Sequence, residues 1–123
     1  MDTHDMDQYI ASHVEEALTK GWVTPYFQPI IRTITNSFAG AEALARWEDP
    51  VFGLLMPGTF VPILEQKGLI YKLDCFILKE VVKLQRSRID AGLSVGAISV
   101  NLSRQDFDHV EMAAYAKKIC VTY

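Results

Sequence analysis

Basic charge is scarce in this 123-residue sequence: 12 Lys and Arg stand against 15 Asp and Glu, leaving a formal net charge of −3. Binding by neutralisation of many backbone phosphates needs a basic face, which argues against a nucleic-acid polymer as partner. A small phosphorylated ligand held by one or two groups remains compatible with that charge. Cysteine is as sparse. Cys75 and Cys120 each sit inside an apolar helical pattern, which makes neither a disulfide framework nor a metal knuckle. Both are expected to be small buried hydrophobes in a reducing compartment. No apolar run approaches the roughly 20 residues that a bilayer span requires. Met1 to Asp7 is acidic and lacks the positive flank and apolar block of a signal peptide. The expectation is a cytoplasmic protein, or the cytosolic part of a larger one, with no membrane contact in this segment. The three histidines, His4, His13 and His109, have no paired ligand nearby and are expected at the surface.

Half of the residues are hydrophobic and 22% are charged, the composition of a single globular unit able to bury a core. Ile10, Val14, Ala17 and Leu18 recur at helical spacing, with Lys20-Gly21 as the stop, so a helix is expected over about 5–20. Residues 22–32 alternate as a strand, but Pro25 and Pro29 each remove a backbone donor and assign it to an edge, a bulge or a special barrel position. A turn at Asn36-Ser37 leads to a second strand over about 38–47, so the two strands form a hairpin. Asp49-Pro50, Gly53 and Pro57-Gly58 mark a loop. A short helix over about 59–67 follows, with Pro62 in its first turn and Gly68 past its end. Leu69, Leu73, Phe76, Ile77, Val81 and Leu84 trace one face of a long helix over about 69–91, stopped by Gly92. A short apolar strand over 97–102 and a last helix over about 104–119, capped by Ser103, complete the chain. The order α, β, β, α, α, β, α alternates after its opening hairpin and indicates an α/β fold with a parallel sheet. Three strands make a sheet with poorly covered edges, so the sequence reads as part of a larger fold.

Alternate side chains of a strand share a face. Glu42, Leu44 and Arg46 therefore point one way, and Ala41, Ala43 and Ala45 the other, giving a flat surface on which a helix packs closely. A carboxylate is a hard ligand suited to Mg²⁺ or Mn²⁺, and a guanidinium is a natural partner for phosphate. An ordinary exposed ion pair accounts for the same two residues. Asn101 ends the third strand, sharing a face with Ala97 and Ser99. That end of a parallel α/β sheet is where ligands bind, although a turn-forming Asn bonding its own backbone is an equal reading. Gln28 lies between Phe27 and Pro29, where its amide serves either a base or ribose, or a strand end.

The segments Tyr26-Phe27-Gln28-Pro29-Ile30, Glu42-Ala43-Leu44-Ala45-Arg46-Trp47, Pro57-Gly58-Thr59-Phe60-Val61-Pro62, Gly68-Leu69-Ile70 and Val100-Asn101-Leu102-Ser103 resemble, in order and spacing, the EAL domain family of bacterial phosphodiesterases that linearise cyclic di-GMP. The resemblance covers the chain from about Ile10 onward. It implies a TIM-like (β/α)8 barrel whose first strand is antiparallel to the rest. It implies that Glu42 and Asn101 are ligands for Mg²⁺ or Mn²⁺, which activates water for attack on a phosphodiester. It implies that Gln28, Leu44, Arg46 and Pro57 line a cyclic di-GMP pocket. Ala45 departs from the family's usual second leucine, and Leu64 stands where an alanine is common; neither touches a ligand position.

The family's later motifs, among them the paired aspartates, a lysine and further glutamates, are not in these residues. A barrel of this kind takes about 250 residues, so the resemblance implies the N-terminal half, with no complete catalytic set and no turnover by the chain alone. Three functional expectations follow: a fragment of a cyclic di-GMP phosphodiesterase, a module that completes its sheet by homodimerising or pairing with another chain, and a domain that binds cyclic di-GMP without turnover.

Overall fold

The computed structural model describes residues 3–32, 37–93, 98–106, 114–115 and 118–119. Among these residues the elements run in the order α1 (Thr3–Thr19), β1 (Val23–Arg32), β2 (Ser37–Asp49), β3 (Gly53–Leu55), α2 (Pro57–Gln66), α3 (Ile70–Asp90) and β4 (Ile98–Val100). Asp106, residues 114–115 and residues 118–119 are helical. Most of the last helix expected from the sequence lies outside the described residues, as do Phe107, His109, Val110 and Cys120.

β2 organises the sheet. It pairs antiparallel with β1, setting Gln28 opposite Glu42, Tyr26 opposite Leu44 and Thr24 opposite Arg46. It pairs parallel with β4, setting Ser99 beside Glu42. β1 has no described neighbour but β2, so it is an edge strand. Pro25 and Pro29, in the same phase of the alternation, sit within the part of the ladder that keeps one register, from Val23 to Ile30, before it shifts between Ile30 and Ile31; a proline is tolerated where its donor-less nitrogen faces the open edge.

The alternation along β2 separates two environments. Ala43, Trp47 and Asp49 are buried, and Val23 of β1 is buried on the same side. α2 and α3 pack against this side of β2, forming one core with Ile10, Val14, Phe60, Leu64, Leu73 and Ile77. The small alanine side chains permit that close approach. On the other side, Thr24, Tyr26, Gln28, Arg46, Ser99 and Asn101 are exposed, and Glu42 and Leu44 are half-buried.

The α2–α3 junction is set by local chemistry. Gly68 adopts φ +71°; its N–H donates to Glu65 O (3.1 Å) and the Leu69 N–H to Leu64 O (2.7 Å). This pair of bonds closes the helix end and requires a left-handed residue, which glycine supplies without strain.

Four details depart from the sequence reading. Residues 53–55, expected as loop, form β3, which pairs antiparallel with β2 through Trp47, Glu48 and Asp49. α2 starts at Pro57, which takes the first helical position, while Pro62 falls inside the helix rather than in its first turn. β4 ends at Val100, so Asn101 and Leu102 lie on the strand's exit rather than within it. His13 is half-buried rather than superficial: its ring stacks on Tyr9 at 3.9 Å, and Nδ1 lies 2.8 Å from Tyr9 O. Among the described residues, no helix is long and apolar enough to cross a membrane.

Candidate functional site

The register of β2 with β1 and β4 gathers polar side chains on the open side of the sheet. Gln28 is the cross-strand partner of Glu42. Asn101, one residue past β4, donates from Nδ2 to Glu42 Oε1 at 2.7 Å, a contact spanning 59 positions of sequence. The parallel pairing of β2 with β4 thus brings Glu42 and Asn101 into reach of each other. Arg46, two residue pairs along β2, is directed elsewhere: its Nε lies 3.0 Å from Glu48 Oε1, and both side chains are well exposed. The ion pair allowed by the sequence exists, but its acid is Glu48, not Glu42. An exposed pair of this kind is weak, about 0–1 kcal/mol, so the guanidinium is readily given up to a phosphate.

Two concavities flank β2. The first, about 330 Å³, lies between β2, α2, α3 and the exit of β4, and is lined by Leu44, Pro57, Asp74, Asn101 and Arg104 among others. The second, about 210 Å³, is lined by Tyr26, Ala45, Arg46, Leu54, Met56 and Pro57. Pro57 borders both, so Leu44, Arg46, Pro57 and Asn101 occupy adjoining surfaces. Tyr26, Leu54 and Met56 are exposed large hydrophobics that the sequence reading did not single out. Tyr26 was accessible to it, because it shares the phase of Gln28; Leu54 and Met56 depend on β3.

The donor set at Glu42 and Asn101 fits part of a hard-cation shell. A carboxylate and an amide oxygen both suit Mg²⁺ or Mn²⁺, and the 2.7 Å contact places the two groups close enough to share one ion. The amide nitrogen faces the carboxylate here; a half-turn of the amide presents its oxygen to the same point. Two donors do not complete a shell of about six oxygens. Among the described residues, no cluster of three or more His, Cys, Asp or Glu is placed to hold a metal ion.

Two buried carboxyl clusters frame this region. Asp49 receives Tyr9 Oη (2.8 Å), the Val51 N–H (2.9 Å) and the Phe52 N–H (3.1 Å) on Oδ2, and Trp47 Nε1 (3.1 Å) on Oδ1. Burial by itself would raise this carboxyl, but the four donors together outweigh it and hold it below the usual carboxylate range. Burial and the bond to Asp49 push Tyr9 up to about 12. The second cluster is Asp74 of α3 with Asp106: both Oδ2 atoms lie 2.9 Å from the single N–H of Ser103. Burial, then the hydrogen bond to Asp106, pushes Asp74 up to about 8. Cys75, beside it, is half-buried, and burial raises its thiol pKa.

The EAL domain family model matches residues 11–123. The chain belongs to the EAL domain family. It is 34% identical over 110 residues to the bifunctional diguanylate cyclase/cyclic di-GMP phosphodiesterase MucR of Pseudomonas aeruginosa, covering 89% of this chain and 16% of that protein. The solved MucR phosphodiesterase in complex with c-di-GMP superposes with a TM-score of 0.81 at 30% identity, over 93% of this chain and 46% of that one. The FimX EAL domain of Xanthomonas citri, solved with c-di-GMP, superposes with a TM-score of 0.80 over 98% of this chain and 46% of that one. At 18% identity that likeness concerns the fold. This EAL chain therefore spans under half of each of these relatives. Its α/β architecture, with an antiparallel first strand and a parallel β2–β4 pair, is the N-terminal half of the family's TIM-like barrel.

Proposed function

We propose that these residues form one side of the site of a cyclic di-GMP phosphodiesterase in bacterial second-messenger signalling. Glu42 and Asn101 are its two ligands for Mg²⁺ or Mn²⁺, and Gln28, Leu44, Arg46 and Pro57 are its wall for cyclic di-GMP. The observation that carries this reading is the Asn101 Nδ2–Glu42 Oε1 contact at 2.7 Å, on the face that also carries Gln28 and Leu44. When bound, the cation supplies Lewis acidity and an activated water to the phosphodiester. The chain's own residues do the rest. Glu42 and Asn101 hold the ion on the open side of the sheet. Arg46 leaves Glu48 for a phosphate oxygen, exchanging one exposed ion pair for a charge-assisted contact to ligand. Gln28 hydrogen-bonds the base or ribose, and Leu44 and Pro57 supply apolar contact. Turnover needs further ligands and a general base from groups other than these, so the 123 residues alone bind without hydrolysing.

The test is an NMR titration of the chain with cyclic di-GMP and Mg²⁺, with chromatography for the linear dinucleotide. Shifts are expected at Gln28, Leu44 and Arg46, with affinity lowered about tenfold or more by Arg46→Ala and no linear product. Shifts confined to other residues would overturn the assignment of the wall, and linear product from the pure chain would overturn the account of turnover.

A second reading, completion of the sheet by another copy or another chain, is favoured by the unpaired outer edges of β1 and β4 among the described strands. Light scattering over a concentration series decides it, a monomer at every concentration excluding the homodimer.

A further inference from the structure

The Ser103 N–H is shared between two carboxylates that reach it from different elements. Asp106 lies three residues along the chain, and its side chain returns to the N–H of the cap residue, one half of a capping box. Local chemistry therefore already satisfies this donor. Asp74 reaches the same N–H from α3, 29 positions away in sequence. It is superfluous for satisfying Ser103 and unfavourable in itself, because a second carboxyl beside a fully buried Asp106 adds desolvation and like charge. What Asp74 adds is a tie between α3 and the exit of β4. That exit carries Asn101, two residues before Ser103, and among the described residues β4 is held to β2 through Ile98, Ser99 and Val100.

We propose that Asp74 is a positioning residue for Asn101: by holding the Ser103 N–H from α3, it fixes the exit of β4 so that the Asn101 side chain stays beside Glu42. The inference rests on Asn101 as a cation ligand, and it extends that reading from the ligand to what aims it. The rigid partner is appropriate. Asp74 lies on a 21-residue helix whose Ile70, Leu73, Ile77 and Val81 are buried in the core, so its carboxyl moves little relative to β2. An asparagine at position 74 keeps an oxygen that accepts from the Ser103 N–H.

The experiment compares the full chain with Asp74→Ala, Asp74→Asn and Asp106→Ala by NMR, reading the Asn101 side-chain amide, hydrogen exchange at the Ser103 N–H, and paramagnetic broadening by Mn²⁺ alone. In Asp74→Ala the Asn101 amide is expected to shift towards its solvent-exposed position. Ser103 exchange should quicken, and the Mn²⁺ concentration for half-broadening should rise about tenfold or more. Asp74→Asn is expected to restore all three, and Asp106→Ala to leave the Asn101 amide in place. Should Asp74→Ala not fold, Asp74→Ser, whose hydroxyl is too short to reach Ser103, carries the same expectation. An Asp74→Ala or Asp74→Ser chain that melts earlier but keeps the Asn101 amide and the Mn²⁺ response of the parent overturns the proposal. If the parent itself shows no Mn²⁺ broadening at Glu42 and Asn101, the metal assignment fails instead. The Asn101 amide and Ser103 exchange still decide the positioning role in that case.

Discussion

Asp49→Ala takes one acceptor group away from four donors, and the structure says how unequal the four losses are. Trp47 is fully buried, so its Nε1–H, 3.1 Å from Asp49 Oδ1, has no water to turn to; an orphaned buried donor costs about 1–3 kcal/mol. The Tyr9 hydroxyl, 2.8 Å from Oδ2, is part-buried, and a hydrogen bond to a charged group contributes about 1.5 kcal/mol or more. The Val51 and Phe52 N–H groups sit in a turn whose Val51 is exposed. Water replaces the acceptor there, at a few tenths of a kcal/mol each. The expected loss is roughly 3–5 kcal/mol, or about 12–20 °C in Tm at roughly 4 °C per kcal/mol for a chain of this size. Asp49→Asn is the informative comparison. Its oxygen in the Oδ2 place keeps three donors, but its nitrogen then faces the Trp47 N–H, donor against donor, at about 1–2 kcal/mol. Tyr9→Phe removes one bond only, at about 1.5 kcal/mol. Urea unfolding followed by circular dichroism orders the three variants. An Asp49→Ala loss below about 1 kcal/mol, or an Asp49→Asn loss as large as the alanine's, would refute the reasoning. The consequence reaches the candidate site, because the same carboxylate shapes the turn that brings β3 back and places Leu54, Met56 and Pro57 beside Arg46.

The two faces of the sheet make a matched test of the alternation. Ala43→Leu, in the closely packed helix interface, is expected to cost about 1–3 kcal/mol by overpacking. Gln28→Ala, exposed on the open side, should stay within about 0.5 kcal/mol; both are read by urea midpoint. The Asp74 carboxyl, raised to about 8, keeps its proton in the folded chain after the unfolded chain has lost it. Its contribution is therefore full below about pH 4 and is lost as pH rises towards 8, by up to about 1.4 kcal/mol per unit. Asp49, held low, acts in the opposite window: its stabilisation is present above the usual carboxylate pKa and is lost as pH falls through its own. Urea midpoints at pH 5 and pH 8 should fall for the parent and stay level for Asp74→Asn; a parent that gains stability over that interval contradicts the sign.

What could be read from the residues alone was whatever period and local chemistry determine. The face of Glu42, Leu44 and Arg46, the flat alanine face, the restriction of the strand bearing Pro25 and Pro29 to an edge, a bulge or a special barrel position, and the glycine stop at Gly68 each depend on neighbours within a few positions. The elements that were missed depend on partners far along the chain. A three-residue strand has no period to detect, and β3 exists because Asp49 captures the Val51 and Phe52 N–H groups while Tyr9 anchors Asp49 across 40 positions. Likewise Asp74 looks, in sequence, like a polar residue at the margin of an apolar stripe. Only its 2.9 Å approach to Ser103 shows that it faces inward, beneath the strand exit that carries Asn101. The candidate site divides the same way. Alternation could say that Glu42 and Arg46 share a face, but not that Arg46 takes Glu48 as its partner, nor that Glu42 meets Asn101. That last contact is made by a parallel register between strands separated by two helices, which is also why the Asp74 tie to the end of β4 has something to position.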